Sequence, residues 1–127
     1  MIFVFGSNES GIHGAGAART AFNDFGAEMG KGFGKAGKSF AIPTKDWKIG
    51  PLPLDVIEHY VNRFIVFARM SPNAKFKITA IGTGLAGILP SEMARLFKYA
   101  PENCLFDSQW EPCFTAMHQK KNYWGTF

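Results

Sequence analysis

The sequence predicts an α/β fold, a largely parallel sheet with helices on both faces, and three observations carry that reading. Short apolar runs alternate along the chain with segments whose apolar residues recur at helical spacing. The order is strand, helix, strand, helix, strand, helix, strand, which suits parallel strands joined by crossovers. Two of the strands empty through glycine-rich turns, at Gly6–Gly16 and Gly82–Gly87, as α/β folds do where they bind anions.

Ile2–Phe5 reads as a buried first strand that breaks at Gly6. The glycine turn after it re-enters a helical pattern at Ala15, with Ala15, Ala18, Phe22 and Phe25 on one face, and the helix is expected to end near Met29–Gly30. Gly30–Gly37 carries too many glycines for a helix and reads as a flexible connection, either a flap over a site or a solvated loop. Ser39–Ile42 is a second strand, expected to stop at Pro43, which cannot donate to a ladder. Pro53 opens a long helix whose apolar stripe is Leu54, Ile57, Val61, Phe64, Ile65 and Ala68; His59 reads as a surface residue, and Ser71–Asn73 stops the helix. Phe76–Ile81 forms a third strand, Leu89–Phe97 a short helix with Met93, Leu96 and Phe97 inward, and Cys104–Phe106 a last strand. Residues 107–127 have no clear period and read as a tail. Its aromatics Trp110, Tyr123, Trp124 and Phe127 would pack on the domain, form a subunit contact or stack on a base.

At 127 residues, 46% of them hydrophobic, the chain is expected to be one domain, 1–127, with its core in about 1–106. No apolar stretch approaches the ~20 residues of a membrane span. With no signal-peptide pattern at the N-terminus, a cytoplasmic location is expected. Two cysteines, Cys104 and Cys113, are too few and too loosely spaced for a four-ligand zinc site, and two free thiols fit that compartment. No metal cluster and no cofactor are expected. The net charge of +4 suits a phosphate-bearing ligand or nucleic acid, and equally suits mere solubility.

In an open α/β sheet, ligands sit beyond the carboxyl ends of the strands. Right-handed crossovers would bring both glycine turns to one sheet edge, with Thr44, Lys45, Asp46 and Trp47 beside them. Two backbone cradles and a lysine there suit a diphosphate carrying a sugar. Each feature alone has a plainer reading, a tight packing turn or a surface lysine.

Three stretches together resemble the macro domain, the ADP-ribose-binding α/β module. They are Asn8-Glu-Ser-Gly-Ile-His-Gly-Ala-Gly-Ala-Ala18, Pro43-Thr-Lys45 followed by Trp47, and Ile81-Gly-Thr-Gly-Leu-Ala-Gly87. The likeness is to the branch holding the antitoxin that removes ADP-ribose from DNA and the terminal ADP-ribose glycohydrolase, and to small macro-like proteins of phages and bacteria. It covers about Met1 to Phe106. The resemblance implies a three-layer macro-domain-like fold. It implies that Lys45 and Asn8 are the catalytic pair, with Asn8 contacting the distal ribose. Ser7, Gly11, His13, Gly14, Ala15, Gly16, Thr44, Gly82, Thr83, Gly84, Leu85, Ala86 and Gly87 would line the ligand. Two departures accompany it. The strand whose acidic residue holds adenine in typical macro domains does not precede Asn8. An aspartate of the glycohydrolase is here Ala86, leaving Asp46 as the local candidate acid.

The resemblance implies an ADP-ribosyl hydrolase acting on an ADP-ribosylated macromolecule, with nucleic acid among the possible conjugates. Lys45 would attack C1″ and pass through a Schiff base, which requires an unprotonated amine favoured by burial or by a neighbouring cation such as Lys48. In another role Lys45 would stabilise charge on the leaving group. The alternative is a protein that binds or sequesters ADP-ribose, or a related nucleotide signal, without cleaving it. A third class, nucleic-acid binding through the basic surface and aromatic tail, would show steep salt dependence.

Overall fold

A computed structural model describes all residues, Met1–Phe127, as one six-stranded mixed sheet between two helical layers. The elements run β1 (Ile2–Asn8), α1 (Gly16–Asp24), β2 (Gly34–Ala36), β3 (Ser39–Lys45), α2 (Leu54–Arg69), β4 (Phe76–Ile78), α3 (Pro90–Leu96), β5 (Cys104–Asp107), a 3-10 turn (Ser108–Trp110), α4 (Glu111–Ala116) and β6 (Asn122–Gly125). The strand order is β2-β3-β1-β4-β5-β6, and only β2 runs antiparallel to its neighbour. The predicted fold class is thus the observed one.

Strand alternation assigns the two faces. Val4, Phe40, Ile42, Phe76, Ile78, Cys104 and Phe106 point to the larger core, where the stripe Ile57, Val61, Phe64, Ile65 and Ala68 of α2 meets Met93 and Leu96 of α3. Phe3, Phe5 and Ala41 point the other way, against Ala21 and the partly buried Ala17, Ala18 and Phe25. Aromatic edges fill the larger core: Phe64 lies 5.0 Å from Phe40 and 5.3 Å from Phe76, both T-shaped.

Several sequence expectations need correction. The first helix ends at Asp24, not near Met29–Gly30. Gly26 takes φ +77°, and Phe25 turns back to stack on Phe3 at 4.5 Å. Within this helix Ala21 is the buried residue, whereas Phe22 is exposed. Gly30–Gly37 is neither flap nor solvated loop: it holds the edge strand β2 and presses on the turn after β1. A Cβ at Gly32 would overlap the Asn8 carbonyl oxygen and lie 2.9 Å from that of Glu9, so this close approach requires glycine.

Pro43 lies buried inside β3 instead of ending it. The Lys38 carbonyl accepts from Phe3 of β1, so by alternation Pro43 turns its missing donor to the other side. There β2 pairs only as far as Ala41. The strand from Phe76 stops at Ile78 rather than Ile81. The segment 107–127 is no tail. Trp110 and Phe114 are fully buried in the larger core, and β6, not Cys104–Phe106, is the last strand. Periodicity missed these elements because the turn, helix and strand are each six residues or fewer.

Candidate functional site

A cavity of about 600 Å³ opens at the carboxyl ends of the strands. It lies at the point where the chain leaves β1 for β3 on one side and returns to β4 on the other, the switch position at which open α/β sheets bind ligands. Of the predicted site residues, Ser7, Asn8, Gly14, Ala15, Gly16, Thr44, Lys45, Gly82, Thr83, Gly84, Leu85 and Ala86 all line it. Gly11, His13 and Gly87 do not line it.

The first turn is held by its own side chains. Asn8 Oδ1 accepts from Ser10 Oγ (2.8 Å) and the Ile12 amide (3.0 Å), and Asn8 Nδ2 donates to the Ile12 carbonyl (2.9 Å). One Nδ2 hydrogen is thereby left for a ligand. Gly11, at φ +73°, receives the Gly30 amide on its carbonyl at 2.9 Å. His13 is buried edge-on against Phe5, with Nε2 2.9 Å from the Glu28 carbonyl. These two residues tie the turn to the segment behind it, while Gly14–Gly16 face the opening. Ala15 is the N-cap of α1 and offers no side-chain cap, so the first amides of the helix remain available to an anion. In the second turn, Gly87 donates to the Gly84 carbonyl (3.0 Å) and Ile88 to that of Gly82 (2.8 Å), closing the loop from behind.

Lys45 reaches its place through a bulge. Pairing runs Gly6 with Ile42 and Ser7 with Pro43, then skips Thr44, so Asn8 stands opposite Lys45. Lys45 is half-buried and is the one lysine or arginine lining the cavity, whereas Lys48 is exposed. Asp46, the candidate acid, does not line the cavity; its Oδ1 accepts the amides of Lys48 (2.8 Å) and Gly50 (2.9 Å). Trp47 stands out in solvent.

Sequence reasoning overlooked the opposite wall. Asp107, fully buried at the end of β5, accepts from the Gln109 amide (2.9 Å), the Phe127 amide (3.1 Å) and Thr126 Oγ1 (3.3 Å). It thereby brings Gln109 and the exposed Phe127 ring to the cavity. A second pairing skip, Phe106 with Tyr123 and then Asp107 with Gly125, sets this corner. Ile12, Ile49 and Thr79 also line the cavity and were not anticipated. Asp107, an aspartate directly after an apolar strand, could have hinted at this wall in advance as an N-cap.

Burial pushes the Cys104 thiol up to about 12. The Tyr60 hydroxyl, raised first by its 2.6 Å hydrogen bond to Glu9 and then by burial, ties α2 to the first turn. Among the side chains there is no group of three or more His, Cys, Asp or Glu placed to hold a metal ion.

No protein-family model and no curated protein matches this chain. Its fold is similar to that of a solved protein of unknown function from Bacteroides thetaiotaomicron. The TM-score is 0.56 at 14% identity, with 98% of this chain and 87% of that one aligned. That likeness extends to the architecture alone. No helix is long and apolar enough to cross a membrane.

Proposed function

We propose that this is an ADP-ribose-binding protein of the macro-domain kind, acting as an ADP-ribosyl hydrolase with Lys45 at the distal ribose. The supporting observation is the convergence of two amide-lined glycine turns and one amine on a single cavity at the sheet's switch point. In this reading the diphosphate rests on the amides of Gly14–Gly16 and Gly84–Ala86, with the N-terminus of α1 adding partial positive charge. The distal ribose lies beside Asn8 and Lys45. The base then extends toward Gln109 and Phe127 on the opposite wall of the cavity. The macromolecule once attached to C1″ leaves through the open side.

In this reaction Lys45 Nζ bonds to C1″ and its proton passes to the departing acceptor. The C1″–acceptor bond breaks, the ring opens to a Schiff base, and water returns the amine and free ADP-ribose. A second reading, binding without cleavage, is favoured by the carboxylates. Asp46 is folded onto its own loop, and Asp107, the one acid lining the cavity, already accepts from three residues. Calorimetry with ADP-ribose, run beside release assays on protein- and DNA-linked ADP-ribose, separates the two. The hydrolase reading expects Lys45→Ala to bind but not to release. Full turnover by that variant would end it, and tight wild-type binding without release would establish the second reading.

A further inference from the structure

Deepening the ADP-ribose reading, and resting on it, we propose that Asp46 is a latch rather than a reaction acid. The loop it closes, residues 46–50, presents Ile49 as the apolar wall against which the terminal sugar docks at the Lys45 end of the cavity. Ile49 has φ +63°, a left-handed conformation that a β-branched side chain adopts only under constraint. Such strain persists where the surroundings over-determine it, and it gathers at binding sites.

The constraint is visible. Asp46 Oδ1 accepts the amides of Lys48 and Gly50 at 2.8 and 2.9 Å. The Asp46 amide donates to the Gly50 carbonyl at 2.8 Å, and the Ile49 amide to the Asp46 carbonyl at 3.1 Å. Lys45 and Pro51 close the base of the loop as an antiparallel bridge. Gly50 leaves room for the latch, because a Cβ there would stand 3.1 Å from Asp46 Oδ2. Ile49, four residues from Lys45 and on the same cavity wall, is nevertheless 42% exposed. An asparagine or glycine would take this backbone without strain. An isoleucine held there by four hydrogen bonds is placed for its side chain, which can cover one face of a sugar.

The test uses two probes, ADP-ribose and ADP, which lacks the terminal sugar. Ile49→Gly removes the side chain and the strain together, so its melting temperature should equal or exceed that of the wild type. Its dissociation constant for ADP-ribose should rise at least fivefold while that for ADP stays unchanged. Asp46→Ala should repeat this pattern. Asp46→Asn keeps an acceptor oxygen for both amides and should restore wild-type affinity and turnover. Equal affinity of Ile49→Gly and wild type for ADP-ribose would overturn the proposal, as would parallel weakening toward both probes. Loss of turnover in Asp46→Asn with binding intact would return Asp46 to the chemistry. A wild type that binds neither probe would instead overturn the ADP-ribose reading itself.

Discussion

Adding one methyl group to Gly14 or to Gly84 tests whether the two turns cradle a ligand through their backbones. Neither glycine has a left-handed φ, and a Cβ at either would meet nothing within 4 Å. Alanine therefore fits the empty protein at both positions. By restricting the unfolded chain it should stabilise by about 0.4–1 kcal/mol. For a chain of this size that raises the melting temperature by roughly 1–4 °C. Ligand binding should respond in the opposite direction. A methyl group projecting into the cavity holds a phosphate oxygen away from the amides, and each lost charged hydrogen bond is worth about 1.5–3 kcal/mol. Losing one such bond weakens binding by roughly 10- to 100-fold. Thermal melts and calorimetry with ADP-ribose measure both quantities on the same samples. Higher melting temperatures with undiminished affinity in both variants would show that no ligand approaches these turns, and the cradle argument would fail.

Gly32→Ala offers a contrast, because its Cβ would strike the Asn8 and Glu9 carbonyls behind the first turn. It should destabilise by about 1–3 kcal/mol, as overpacking does, and lower the melting temperature measurably. Alkaline titration should expose Cys104. The unfolded thiol ionises near its ordinary 9.0, whereas the buried one waits until about 12. Its contribution is present in full below pH 9 and is lost as pH rises toward 12, with a ceiling of roughly 4 kcal/mol. Tyr60 and Tyr123, also raised, act in the same direction. Lys121, lowered by burial, acts oppositely. Urea melts between pH 9 and 12 should therefore show a flatter decline for Cys104→Ala than for the wild type; identical slopes would exclude the thiol as the source.

The α/β class, the long helix and the two glycine turns were legible because each rests on a local signal. The stripe from Ile57 to Ala68 needs only a 3.6-residue period, and a strand emptying into glycines needs only its own neighbours. Pro43 misled because its local rule, that proline ends a ladder, is lifted when the adjacent strand is too short to reach it. The run Gly30–Gly37 misled for a similar reason. Glycine's entropic penalty argues against order, yet Gly32 and Gly37 are ordered because neighbouring backbone comes too close for any side chain.

What the sequence determined by itself was therefore a partial inventory: the longer strands and helices between Ile2 and Phe106, and which turns lack side chains. Tertiary structure decided which of those pieces meet. The skip at Thr44 that sets Lys45 beside Asn8, and the burial of Asp107 that carries Phe127 to the cavity, both depend on registers between strands distant in the chain. Register is fixed by the packing of both sheet faces at once. No window of consecutive residues contains that information.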